Sequence, residues 1–339
     1  MSTAHDAILL LSFGGPEGME EVMPFLETVL RGKNLPEERL REVASHYEHF
    51  GGVSPINGQN RALLAALREE LAVHGPGLPV YWGNRNWYPF LADTLHEMVG
   101  DGIKSALAFV TSAYGSYSGC RQYLEDIVRA RAAVGEAAPE VHKLRLYYNH
   151  PGFIEANVAQ VAAALERVPQ EARDGVALVF TAHSVPRAMA TTSDYEAQLQ
   201  EVAGLVAEGV GRARWSFAYQ SRSGPPQSPW LEPDIGDHLA ALAASGIKDV
   251  VVAPVGFVSD HMEVVYDLDT EAQQKAVALG IRLVRAATAG THPAFVRMVR
   301  DLVAERLSPA GLRTAAGTRG PSPDVCREGC CPPPSGRRP

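Results

Sequence analysis

Short β-branched apolar runs alternate with helix-period segments twice over along this chain, and that alternation restricts its fold more than any other feature. Such runs fall at residues 7–13, 80–83, 106–112 and 144–148, and again at 176–181, 215–219, 250–255 and 282–285. Helical patterns lie between them. Over 36–50, Leu40, Val43, Tyr47 and Phe50 share one stripe, Pro36 suits the first turn and Gly51-Gly52 stops the helix. Over 60–74, Leu63, Leu64, Leu67 and Leu71 share another, closed by Gly75. Strands alternating with helices imply parallel βαβ units whose sheets are covered on both faces. The expected fold is therefore α/β, with two lobes that each carry a four-stranded parallel sheet flanked by helices. The lobes are expected at 1–149 and 150–310, followed by a flexible Pro/Gly-rich cysteine tail at 311–339.

The duplication also locates the site. The first strand of the first half runs into Ser12-Phe13-Gly14-Gly15-Pro16, and its counterpart runs into His183-Ser184-Val185-Pro186. The third strand of each half ends in a polar loop, at 113–119 and 256–261. Ligands of open α/β sheets lie beyond the carboxyl ends of the strands, so these four loops should border one cleft between the lobes.

Composition removes several functions. A net charge of −8 lacks the basic footprint of a nucleic-acid binder. No apolar run reaches the length of a membrane span, and the apolar stretch 7–11 is too short for a signal peptide. A soluble, cytoplasmic chain without stable membrane insertion is expected, with a monomer as the default. No G-x-G-x-x-G follows the first strand and no G-x-x-x-x-G-K-[ST] occurs, so no nucleotide is expected. The zinc-protease, serine-hydrolase and thioredoxin motifs are missing too.

The segment from Pro254 to Glu271 carries the most chemistry. Glu263, Asp267 and Glu271 are spaced i, i+4, i+8 and would line up on one face of a helix. A solvated surface is the plain explanation of such a stripe. This one, however, begins directly after an apolar strand at the expected cleft, where carboxylates make a hard-oxygen path for a divalent cation. A π turn would align them better than an α-helix, and such turns favour functional sites. His183 closes an apolar strand, and an imidazole is suited to taking protons at neutral pH; the plain alternative is a structurally satisfied histidine. His183 opposite Glu263 would be a base facing a metal ligand. That pairing suits metal insertion, although spacing does not choose between insertion and metal-assisted hydrolysis.

Over residues 6–305 the chain resembles the ferrochelatases. The matching motifs are LSFGGP at 11–16, YEHFGGVSPIN at 47–57, FTAHSVP at 180–186, WLEPD at 230–234 and the segment 254–271. The resemblance implies two Rossmann-like, chelatase-type lobes and insertion of Fe²⁺, as substrate, into a porphyrin. His183 would accept protons or bind metal, and Glu263 would ligate it, with Asp267 and Glu271 as a supply line. Ser54 and Tyr123 match porphyrin-contacting positions. Arg31 and His46 are candidates for pairing with propionates. Phe13 stands where a Gram-positive branch carries a tyrosine able to ligate iron, and it leaves only apolar packing on the ring face.

The soluble form without membrane-binding elements resembles the Gram-positive type that uses coproporphyrin III. Protoporphyrin IX is the rival substrate, a cobalt or nickel tetrapyrrole chelatase a second enzyme reading, and a non-catalytic porphyrin carrier a third. Cys120 with Cys326, Cys330 and Cys331 makes four thiolates, the number that holds a [2Fe–2S] cluster. Some ferrochelatases hold one through three C-terminal cysteines and one internal cysteine.

Overall fold

The structure, a computed structural model, describes residues 5–31, 37–224, 227–308 and 312–333. Pro36, expected in a first helical turn, lies outside the described residues. The first half runs β1 (Ala7–Ser12), α1 (Met19–Val29), α2 (Glu37–Glu48), α3 (Ile56–His74), β2 (Val80–Asn84), α4 (Leu91–Gly100), β3 (Ser105–Val110), α5 (Gln122–Val134) and β4 (Glu140–Lys143). The second opens with α6 (Pro151–Glu166), β5 (Ala177–His183), α7 (Arg187–Ala190), α8 (Tyr195–Gly209) and β6 (Ser216–Gln220). It continues through α9 (Ile235–Ala244), β7 (Asp249–Ala253), α10 (Met262–Tyr266), α11 (Gln273–Ala278), β8 (Arg282–Arg285) and α12 (Pro293–Leu307). Two π turns, Tyr117–Arg121 and Asp267–Ala272, lead into α5 and α11.

Each half forms a four-stranded parallel sheet, ordered β2-β1-β3-β4 in one and β6-β5-β7-β8 in the other. The order is the same in both, so the duplication seen in sequence is a duplication of topology. Central strands are covered on both faces, and all of Ala7 to Leu11 is buried; a continuous apolar run is what a parallel interior strand requires. In each sheet the chain reverses its direction of winding at the first strand. The carboxyl ends of β1 and β3, and of β5 and β7, are therefore the crevices where a ligand fits.

One strand differs from expectation. The fourth was expected at 144–148, but β4 is Glu140–Lys143, paired with Ser105 to Ala108 of β3. As an edge strand it is polar, so its signal in sequence is weak. The apolar run after it leaves the ladder and crosses between the lobes. Leu144, Leu146, Tyr147 and Tyr148 are buried there, and the Tyr147 hydroxyl donates to Val110 O at 2.9 Å.

The lobes share this core. Tyr114 donates to Val255 O at 2.7 Å, and the Gly115 N–H donates to Gln198 Oε1 at 2.7 Å. Helix α12 packs on α6 and also reaches back to α3, where Arg300 pairs with Glu70 at 2.6 Å.

The described part of the tail lies along the same seam. The buried Arg145 guanidinium is held by Glu305 at 2.7 and 2.9 Å, and it donates also to Thr314 O at 2.9 Å. The Ala316 N–H donates to Asn149 O at 2.7 Å, and Asn149 Nδ2 donates to Gly320 O at 2.8 Å. Thr318 N–H donates to Glu201 Oε1 at 2.8 Å. These bonds supply partners for Arg145 and Asn149, which the lobe crossing leaves buried. They are what ties down a segment too poor in apolar residues to fold alone. Among the described residues no helix is long and apolar enough to cross a membrane.

Candidate active site

Strand β5 ends at His183, and the next residues turn sharply. The Ser184 N–H donates to Gln220 O at 2.7 Å, and its hydroxyl donates to Leu231 O at 2.8 Å. His183 Nδ1 bonds the Ser184 carbonyl. A carbonyl only accepts, so Nδ1 carries the proton and Nε2 is the nitrogen turned to the cleft. Nε2 lies 3.5 Å from Glu263 Oε2. Burial, the largest single effect, lowers the imidazole pKa, but the Glu263 carboxylate, the Ser184 carbonyl and Asp267 together outweigh it, and His183 ends above its ordinary value.

The same carboxylate oxygen lies 3.8 Å from Nδ1 of His261, a residue the sequence reading did not single out. His261 caps α10 and meets the Phe257 ring edge-on at 5.0 Å. Its pKa is lowered, by burial first and with help from His183. One carboxylate thus sits between two imidazoles whose proton affinities are driven apart, the pattern that separates an acid–base group from a neutral ligand. The H-x-E spacing in the loop that follows the apolar strand β7 was the available signal for His261.

Beyond Glu263 the helix changes from α to π winding at Asp267. Asp267 accepts from the Ser221 hydroxyl at 2.5 Å. Its pKa is pushed up to about 7, by burial and by the Glu263 and Glu271 carboxylates against the Ser221 bond. Glu263, Asp267 and Glu271 follow one another about a turn apart along this segment, and the two outer carboxylates both act on Asp267. The segment is clamped from behind by Arg285, which holds Asp269 at 2.6 and 2.8 Å and Asp260 at 3.1 and 3.2 Å. From the other lobe, Gln59 Oε1 accepts the Asp260 N–H at 2.8 Å.

The opposite wall belongs to the first lobe. Phe13 follows β1 with 36% of its surface exposed. The Arg85 guanidinium, just past β2, lies 5.8 Å from the Phe13 ring centre and 4.6 Å from that of Tyr123. Arg85 is anchored by Asp126 at 2.7 Å in a nearly solvent-free pair. Tyr123 is only 4% exposed and the Arg85 side chain only 6%, so the two form a buried stack behind Phe13. Neither Arg85 nor Asp126 was legible as a site residue; the position of Arg85 at a strand's carboxyl end was the one hint.

Ser54 is buried, its N–H donating to Pro16 O at 2.9 Å. It presses so closely on Gly15 that a Cβ there would stand 2.7 Å from the Ser54 Cβ. His46 stacks on Tyr266 at 3.7 Å and 10°, which joins α2 to α10 across the cleft. Arg31 is exposed just past α1. His183, Glu263, Asp267 and Glu271 are therefore brought together, while Phe13, Tyr123 and Ser54 belong to the facing lobe.

The cysteines form a separate group. Cys120 is buried in the first π turn, and its thiol neighbours that of Cys326. Cys326 contacts Cys330, and Cys330 Sγ lies 3.6 Å from Cys331 Sγ. Lys143 adjoins the Cys120 and Cys326 thiols. Among the described residues, no three metal-binding side chains are spaced as a formed metal site.

Two parallel-sheet lobes around a histidine–carboxylate cleft define a chelatase fold. SirB of Bacillus subtilis subspecies spizizenii, a sirohydrochlorin chelatase solved with cobalt, superposes with a TM-score of 0.52 at 13% identity, over 90% of this chain and 96% of that one. SirB of Bacillus subtilis with Fe³⁺ gives 0.54 at 13% identity, over 89% and 97%. At that identity the likeness concerns the fold alone. The ferrochelatase family model matches residues 5–307, and the chain belongs to the ferrochelatase family. Similar proteins include the ferrochelatase of Rhodopirellula baltica, 53% identical over 99% of this chain and 97% of its own. The coproporphyrin III ferrochelatases of Streptomyces coelicolor and Nocardia farcinica are 52% and 54% identical, over 98% and 97% of this chain and 94% and 97% of their own.

Proposed function

We propose that this ferrochelatase inserts Fe²⁺ into coproporphyrin III, giving Fe-coproporphyrin III (coproheme) in haem synthesis. The observation that carries the reading is the Glu263 carboxylate held 3.5 Å from His183 Nε2. The substrate assignment draws on the named activity of relatives at 52 to 54% identity. Four propionates keep coproporphyrin III in water, which accords with a cytoplasmic enzyme that needs no membrane handover.

Insertion replaces two pyrrole protons by one Fe²⁺. In this reading His183 Nε2 accepts pyrrole protons, while Glu263 ligates the incoming ion and strips part of its water. Asp267 and Glu271 extend the oxygen path toward solvent. Phe13 packs on one face of the macrocycle, Arg31 and His46 serve its edges, and Ser54 and Tyr123, both buried, back the wall on which it rests. A cleft that fits a bent ring better than a flat one lowers the barrier, because bending exposes the nitrogen lone pairs. Deprotonated nitrogens then attract the cation.

Cys120, Cys326, Cys330 and Cys331 fit a [2Fe–2S] cluster in donor type and number. A bound cluster would supply one-electron chemistry and a tie between the tail and the π turn before α5. Insertion transfers no net electron, so no step depends on it. Iron and acid-labile sulfide analysis of anaerobically purified protein, with Cys326→Ser as comparison, tests that part; absence of both elements refutes it.

The main test is anaerobic turnover with Fe²⁺ and coproporphyrin III or protoporphyrin IX in parallel. Fast turnover of coproporphyrin alone is expected, and a preference for protoporphyrin would move the pathway. His183→Ala and Glu263→Gln should each lose at least about 100-fold in rate while still quenching porphyrin fluorescence on binding. Stoichiometric binding by the unaltered protein without insertion would favour a carrier.

A further inference from the structure

We infer that Gln220 is a positioning residue for the metal-facing pair; the inference rests on the reading of His183 and Glu263 given above. Gln220 ends β6 in register with His183, and it is 1% exposed. Its backbone carbonyl accepts the N–H of Ser184, the residue that carries the turn after His183. Its side-chain Nε2 donates to the backbone carbonyl of Glu263 at 2.9 Å. The orientation of the amide is set by chemistry, because the atom facing a carbonyl must be the nitrogen. One residue thus grips both segments that bring His183 Nε2 and Glu263 Oε2 together.

The need for such a grip follows from local structure. Helix α10 has five residues, too few to hold a rigid axis by itself, and no side chain caps its start. It then runs into the π turn, where the regular bonding pattern changes. A carbonyl at this junction tied to the end of a β-strand gives Glu263 the rigidity of the sheet rather than that of a short helix. The next residue acts in the same sense. Ser221 adopts φ 63°, a left-handed conformation that a serine rarely takes, and its hydroxyl meets Asp267. The strained turn aims Gln220 and Ser221 at successive turns of the acidic stripe. Gln220 touches neither iron nor porphyrin in this scheme; it acts through the backbone of Glu263.

The test uses the full-length enzyme carrying Gln220→Met, which keeps the length of the side chain and removes both amide functions. Gln220→Glu is the second variant, since an ionised carboxylate cannot donate to the Glu263 carbonyl. Both should raise KM for Fe²⁺ by about tenfold or more. Both should weaken Co²⁺ binding to the porphyrin-free protein by a similar factor, with an altered Co²⁺ absorption spectrum, and leave the Kd for the porphyrin unchanged. A merely structural role would instead lower Tm and weaken porphyrin and metal together, and that result overturns the inference. Unchanged KM and Co²⁺ affinity in both variants overturn it as well. Glu263→Gln and His183→Ala run alongside: if those retain turnover, the underlying reading fails, whereas their loss beside unaffected Gln220 variants removes only this inference.

Discussion

Glu263 Oε2 lies 3.5 Å from His183 Nε2 and 3.8 Å from His261 Nδ1, so one carboxylate oxygen is shared by two imidazoles. His183 reaches it from the end of β5, and His261 from the cap of α10. The first imidazole is raised and the second lowered in pKa, so His183 binds a proton more readily than His261.

The Glu263 carboxylate is the largest of the effects that lift His183 against burial, so Glu263→Gln should lower the His183 pKa. In the unaltered protein the neutral, proton-accepting form then gains population as pH rises through a value above 6.5. Ring-proton NMR of the metal-free protein reads both. An unmoved His183 titration in Glu263→Gln would refute the coupling.

Burial first, and then the neighbouring carboxylates, push the Asp267 pKa up to about 7, so its proton is lost only around neutral pH. An acid whose folded pKa exceeds its unfolded one gives stability that is present at low pH and lost as pH rises through the folded value. Asp267→Asn should therefore raise Tm by roughly 2 °C or more at pH 8, with the gain vanishing toward pH 4. Calorimetry at the two pH values decides it. Ser221→Ala should move the Asp267 pKa further up, because the hydroxyl bond favours the ionised form.

Arg285 clamps Asp260 and Asp269 on either side of the Glu263 helix. Arg285→Met should cost about 2–4 kcal/mol, since it leaves two carboxylates without their counterion in a partly buried place. Denaturant midpoints measure the loss, and the same variant should raise KM for Fe²⁺ by loosening the π turn.

The Arg145–Glu305 pair is almost solvent-free and carries the tail through Thr314. Glu305→Ala should destabilise the fold by about 3–5 kcal/mol, the cost of a buried charge without its partner. It should also open residues 312–333 to limited proteolysis at a temperature where the unaltered protein resists. Tail cleavage at the same rate in both proteins would show that this pair does not hold the tail.

The two βαβ series, their equal numbers of strands and the acidic stripe at a strand end were all legible in the residues, because each is a local pattern repeated at a period of 2 or 3.6. Local patterns mark where apolar surface must be covered and where a chain must turn. The edge strand β4 escaped because an exposed edge needs no apolar run, and the apolar residues after it serve the lobe crossing instead. Arg85 over Tyr123, His261 beside Glu263 and Gln220 under the Glu263 carbonyl lay beyond reach for a different reason. They are partnerships between residues that the chain brings together only after both sheets have formed. The sequence by itself determined the architecture and which groups could do the chemistry. Tertiary structure decided which of those groups meet, at what distance and with which pKa, since desolvation and charge act through space rather than along the chain.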